Sequence, residues 1–209
     1  MVKRISICGV PKSGTKLLNH MIHTALPDWD YTPEERNFSK YMKEEKIITK
    51  KPLDLFRFQK AWEDADTMAI ITYRDPLMVL TSKHRGTDYW VHGERIGKGQ
   101  PAPYKWYREI IKWQERGAFI VFYEELTKQP DLVQKQIEIY FNFKFKHPFS
   151  NYINMPIGKD YEYLNVVRPL ETRKLRIEDL PHLGKELNKH PVILKQRKNL
   201  GYGNISVLQ

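Results

Sequence analysis

The chain has 209 residues, of which 41% are hydrophobic and 29% charged, a globular composition that excludes a disordered chain and gives one domain a substantial core. A formal net charge of +10 favours an anionic partner, whether a nucleotide, a polyanion, nucleic acid or a membrane surface. The single cysteine, Cys8, excludes an internal disulfide framework and argues against a cysteine metal site, and no apolar run approaches a membrane span in length.

The apolar run 5–10 predicts a buried first strand that stops at Gly9-Val10-Pro11. It starts so close to the N-terminus that no signal peptide fits before it, and a soluble, cytoplasmic protein is expected. Lys12-Ser13-Gly14-Thr15 is a small polar loop. From Lys16 onward Leu17, Leu18, Met21, Ile22 and Leu26 recur at helical spacing until Pro27 stops the helix. Residues 33–45 read as a charged helix, 46–50 as a short strand ended by Pro52, and 53–63 as a helix. The clearest buried strand is 68–73. Arg74-Asp75-Pro76 then leads into a helix over 77–83, with Asp75 as N-cap and Pro76 at the first helical position.

Residues 86–103 hold four glycines and two prolines beside Tyr89, Trp90 and His92, and read as a long loop covering the acceptor. A helix over 104–116, a strand over 119–122 and a helix over 131–141 follow. Past Lys146 the pattern weakens, with helices expected at 177–188 and 192–200 and Gly201 as a C-cap. Strands alternating with helices predict an α/β fold. A single domain over 1–209 is expected, with three layers: a mostly parallel sheet and helices on both faces. Ligands gather at the carboxyl ends of such strands, so the loops after Val10, Lys50, Tyr73 and Phe122 should face one site.

Gly9 to Lys16 follows a strand and opens a helix, which sets backbone N–H groups and a helix N-terminus against an anion. The kinase phosphate loop reads G-x-x-x-x-G-K-[ST]. Gly9 and Gly14 keep that glycine spacing, but Thr15 stands in the lysine position and Lys16 comes one place late, turned by roughly 100° around the helix. Pro11-Lys12-Ser13-Gly14-Thr15 instead resembles the phosphate loop of the sulfotransferase superfamily. A second segment strengthens the likeness. Arg74-Asp75-Pro76, with Ser82 eight residues past Arg74, is similar to that family's Arg-(Asn/Asp)-Pro turn and its following serine. A third, Val121-Phe122-Tyr123-Glu124-Glu125-Leu126 with Pro130 after it, resembles a strand end that marks the fold.

The resemblance implies a P-loop NTPase-like sulfotransferase fold and 3′-phosphoadenosine 5′-phosphosulfate (PAPS) as donor co-substrate. It implies that Pro11, Lys12, Ser13, Gly14, Thr15 and Lys16 surround the 5′-phosphosulfate, although Lys16 replaces a frequent second threonine. Arg74 and Ser82 would hold the 3′-phosphate, for which a guanidinium fork is well suited. Arg173 and Lys174 stand in for the family's basic C-terminal loop, with Arg197-Lys198 as the other option. Lys12 would reach the bridging oxygen, where charge builds as the sulfuryl group departs. Ser13 would hold the Lys12 side chain, and no metal is required.

The family's His or Glu base belongs near the end of the strand after the first helix, and the stretch from Ile48 to Asp54 has neither. Lys51 or Lys50 is the candidate there, as base or sulfate ligand, with Asp54, His84 and His92 as rival bases. The expected function is therefore sulfuryl transfer to a hydroxyl or amine of a carbohydrate or small molecule. PAPS, its product adenosine 3′,5′-bisphosphate (PAP) and the acceptor are the expected partners; nucleic acid and membrane are not. The alternatives are a P-loop kinase, in which Asp75 would serve magnesium, and a nucleotide-binding relative without turnover. A nucleic-acid-binding protein fits less well, because the basic residues are scattered and no recognised motif is present.

Overall fold

In this computed structural model residues 1–32, 38–52, 55, 58–75, 79 and 103–154 are described. In chain order the elements are β1 (Arg4–Gly9), α1 (Thr15–Ala25), β2 (Asp30–Tyr31), a 3₁₀ turn (Phe38–Lys40), β3 (Ile47–Pro52), α2 (Gln59–Trp62), β4 (Thr67–Tyr73), α3 (Pro103–Glu115), β5 (Phe119–Phe122), α4 (Tyr123–Lys128), α5 (Pro130–Phe141) and a second 3₁₀ turn (Phe149–Asn154). The strands form one sheet in the order β2-β3-β1-β4-β5, and every pairing is parallel.

Every residue of β1 and β4 is buried, as a parallel sheet covered on both faces requires. Alternate side chains go to opposite faces. Ile5, Ile7, Ile48, Met68 and Ile70 pack with Leu17, Leu18, Met21 and Ile22 of α1, Leu126 of α4, Val133 and Ile137 of α5, and Phe149. Cys8, Ala69, Ile71 and Tyr73 pack on the other side with Phe38, Ala61 of α2, and Trp106, Tyr107, Ile110 and Trp113 of α3. The three layers expected from the sequence are thus present. Each fully buried Leu, Ile or Met of α1 contributes about 1.5–3 kcal/mol, and this apolar stripe holds the helix to the sheet.

Crossovers between parallel strands are right-handed, so the direction of travel selects the face that a connection covers. The chain leaves β1 through α1 toward β2, at the edge beyond β3, and leaves β4 through α3 toward β5 in the opposite direction. α1 and α3 accordingly cover opposite faces. The neighbouring strands β1 and β4 flank the point where the direction reverses, and ligands of open parallel sheets bind at the carboxyl ends of such strands. Gly9, Pro52 and Thr72 share one register row, and Tyr73 pairs Phe122, so the strands end along a common edge.

Some sequence expectations change. The helix expected over 33–45 is absent from its described part, 38–45. Phe38 is its buried anchor, and the chain then runs through short turns, with Tyr41 N–H donating to Phe38 O and Glu44 N–H to Tyr41 O. One apolar anchor without a stripe gives a helix nothing to bury. From the expected helix over 53–63 the described helical residues are Gln59–Trp62. Strand β3 runs to Pro52, two residues further than the 46–50 reading. The sequence reading omitted β2, α4 and the Phe149–Asn154 turn.

Candidate functional site

The chain leaves β1 at Gly9, turns, and enters α1 at Thr15. The Ser13 N–H donates to the Val10 carbonyl at 3.0 Å, which closes the turn. Lys12 and Gly14 both have left-handed backbones, with φ of 69° and 96°. For Lys12 that conformation costs about 1–2 kcal/mol. At Gly14 an added Cβ would stand 2.6 Å from Cδ2 of Tyr123. At Gly9 the constraint is close approach: a Cβ would collide with the Thr72 hydroxyl and lie 2.6 Å from the Thr72 carbonyl. The Ser13 and Thr72 hydroxyls meet at 2.7 Å, and Thr72 also donates to the Cys8 carbonyl at 3.3 Å.

The N-terminus of α1 has no side chain that would compete with an anion for its amides. Its N-cap is Gly14, which makes no side-chain capping bond, and its first turn carries no acid. The first amides of a helix have no intrahelical acceptor, and the helix dipole adds positive potential there. Lys12 is exposed at the loop, Lys16 is half-buried on the first turn, and Thr15 is buried.

Arg74, just past the end of β4, is brought to the same place. Its Nη1 donates to the Lys12 carbonyl at 3.1 Å, and its guanidinium carbon lies 4.2 Å from the centroid of the Tyr123 ring. Cation–π stacking and a backbone bond together fix the guanidinium plane. The next residue is locked too, since the Asp75 N–H donates to Glu124 Oε1 at 3.1 Å. The Asp75 carbonyl accepts from the Val79 N–H at 3.1 Å, the bond an N-cap residue makes, as expected for Asp75. Beneath this turn, Tyr107 is fully buried with its ring 5.6 Å from that of Tyr73. Burial, with Tyr73 and Asp75 adding to it, holds its phenol well above the usual tyrosine range, so Tyr107 stays neutral.

The two lysines of β3 part company. Lys50 pairs with Ile7 and Lys51 with Cys8, so they point to opposite faces. Lys50 is buried on the α1 face, the face that also carries Thr72, while Lys51 is half-buried on the α3 face.

Of the sequence candidates, Pro11, Lys12, Ser13, Gly14, Thr15, Lys16 and Arg74 are brought together around the β1–α1 loop, and Lys51 is the residue before the last of the neighbouring strand β3. Ser82, Arg173, Lys174, Asp54, His84, His92, Arg197, Lys198, the loop 86–103 and the helices expected at 77–83, 177–188 and 192–200 lie outside the described residues, apart from Val79 and Pro103. Thr72, Tyr123 and Glu124 are the residues that sequence reasoning missed as parts of the site. Tyr123 and Glu124 belong to the segment that resembled only a fold marker, and Thr72 had no signal beyond a hydroxyl in a wholly buried strand that also holds Thr67. Among the described residues no group of three or more His, Cys, Asp or Glu could hold a metal ion. No helix among them is long and apolar enough to cross a membrane.

No model of a known protein family matches the chain, and no curated protein sequence matches it. Its structure is similar to the crystal structure of mouse sulfotransferase SULT7A1 complexed with PAP. The TM-score is 0.52 and the identity 17%, over 93% of this chain and 84% of that one. At such identity the likeness is one of fold, and the chain has a sulfotransferase-like α/β fold.

Proposed function

We propose that this chain is a sulfotransferase that uses PAPS and passes its sulfuryl group to a hydroxyl or amine acceptor, a carbohydrate or small molecule. The observation that carries the reading is the uncapped α1 N-terminus tied to Arg74 through the Lys12 carbonyl. A helix N-terminus and a guanidinium can each take an anion, and having both there suits a nucleotide with phosphates at its 5′ and 3′ positions. The mouse sulfotransferase of similar fold was solved with PAP, which supports the same choice of ligand.

In this reading the loop amides, Gly14, Thr15 and Lys16 bind the 5′-phosphate, and Pro11 and Ser13 shape the loop. Lys12 lies at the bridging oxygen. As the acceptor oxygen or nitrogen bonds to sulfur, the bond from sulfur to the bridging oxygen breaks and PAP leaves with the electron pair. The Lys12 ammonium offsets charge that grows only as that bond breaks, which lowers the barrier rather than merely tightening binding. Lys51 is proposed to meet the acceptor and take its proton. Arg74, with Ser82, Arg173 and Lys174, is proposed to hold the 3′-phosphate. No step calls on a metal.

The test is calorimetric titration with PAP, ATP and 5′-AMP, with and without magnesium, followed by transfer of labelled sulfate from PAPS to an acceptor panel. Metal-independent PAP binding that is lost with 5′-AMP, and label in an acceptor, is the expected result. Preference for magnesium-ATP would overturn the reading in favour of a kinase. Tight PAP binding with no transfer to any acceptor would leave a nucleotide-binding protein without turnover.

A further inference from the structure

We infer that Thr72 is a positioning residue for the phosphate loop: it commits the Ser13 proton inward, so that Ser13 braces the loop and donates nothing to the bound phosphate. The inference rests on the nucleotide-binding reading of this site.

Hydroxyl bookkeeping carries it. Each hydroxyl has one proton and two acceptor lone pairs. The Cys8 carbonyl, 3.3 Å from Thr72 Oγ1, can only accept, so the Thr72 proton goes there. The 2.7 Å contact between Thr72 Oγ1 and Ser13 Oγ then takes the Ser13 proton. Both residues are 0% exposed, so water does not compete for either hydroxyl. The other donor of Ser13, its backbone N–H, is bonded to the Val10 carbonyl at 3.0 Å. Both Ser13 donors are thus used within the protein.

Ser13 keeps lone pairs alone for its surroundings. Those suit an ammonium or an N–H and repel a phosphate oxygen. The anion is left to the amides from Gly14 onward, to Lys12 and to Arg74. Gly9 makes the hydroxyl pair possible, since a Cβ there would collide with Thr72 Oγ1 and stand 2.8 Å from Ser13 Oγ. The loop is therefore pinned to β4 two residues before Arg74, and the two anion-binding parts move as one body. A side chain of the same shape without the hydroxyl would release that pin.

A double-mutant cycle on the full chain tests this, with PAP affinity measured by calorimetry. Thr72→Val and Ser13→Ala are each expected to weaken PAP binding about five- to tenfold, the loss of one buried hydrogen bond. The double variant should be no weaker than either single one. Thr72→Ser, which keeps the hydroxyl, should restore binding to within about twofold of the wild type. Loss in Ser13→Ala with none in Thr72→Val would overturn the inference and make Ser13 a direct phosphate ligand. Additive losses would overturn it as well, because the two hydroxyls would then act separately. A wild-type chain that binds no PAP would instead overturn the donor-site reading, and this inference with it. Should Thr72→Val fail to fold by circular dichroism, Thr72→Ala carries the same comparison.

Discussion

Arg74 makes two contacts at once. Its guanidinium stacks on Tyr123 at 4.2 Å and bonds the Lys12 carbonyl at 3.1 Å, and a planar cation with several donors can hold both together. Arg74→Ala is expected to cost about 1.5–3 kcal/mol of PAP affinity, the range for hydrogen bonds to charged groups. Arg74→Lys should recover only part of it, because an ammonium cannot stack and fork together. Unchanged PAP affinity in Arg74→Ala would remove Arg74 from the site. Gly14 fails differently when altered. Its left-handed backbone and its approach to Tyr123 both oppose a side chain, so Gly14→Ala should lower folding stability by about 1–2 kcal/mol or more in urea denaturation. A variant as stable as the wild type would mean that the loop reorganises freely.

Among the elements, α5 holds the turn after it through Asp131, which accepts from the Ser150 N–H and hydroxyl at 2.8 Å each, and through one buried amide. Gln134 accepts the Phe149 N–H at 2.7 Å and donates to the His147 carbonyl at 3.2 Å, so it fastens the Phe149–Asn154 turn to the helix. Gln134→Ala leaves both backbone groups unpaired, and a loss of about 1–3 kcal/mol is expected in denaturant melts. Helix α1 adds a pH dependence. Burial holds His20 and His23 below the ordinary histidine range, and His23 adds to the depression at His20. A depressed folded value means that the unfolded chain binds protons more readily. Stability is then complete above the unfolded value of about 6.5 and is lost as pH falls below it. Melting temperature should decline between about pH 7 and pH 5, and a His20→Gln/His23→Gln variant should decline less steeply. Equal slopes would assign the loss to other groups. A second decline belongs to stronger acid, below about pH 4: burial raises the values of Asp64 and Glu138, but bonds to Asp64 from Thr67, the Asp66 N–H and Arg4, and to Glu138 from Lys144, lower them by more, and protonation loses those bonds.

For the whole molecule, the proposed donor binding would be linked to folding. PAP at about a hundred times its dissociation constant should add about 2.7 kcal/mol of stability, a rise of roughly 5–10 °C in melting temperature for a chain of this size. The net charge of +10 should speed association with the anionic nucleotide, and added salt should slow it. A PAP association rate indifferent to ionic strength would show that the basic residues do not steer the ligand.

The sequence by itself determined the buried strands β1 and β4, the α1 stripe and the glycine-containing turn between β1 and α1. These are local properties: a short apolar run between breakers, a 3.6-residue period and glycines at a turn. It also flagged Arg74, because a motif and its spacing are written in the chain. Other features were decided only by tertiary structure. The segment 38–45 has the charge of a surface helix, yet with Phe38 as its one anchor it packs as turns. Lys50 and Lys51 are adjacent and alike in sequence, and only the register of β3 against β1 sends one into the α1 layer and the other to the opposite face. The contacts of Thr72, Tyr123 and Glu124 were invisible for the same reason. Their partners Ser13, Arg74 and Asp75 lie on other elements, 49 to 59 residues away. No sequence period records a contact made across the carboxyl ends of a sheet, where right-handed crossovers in opposite directions bring distant loops together.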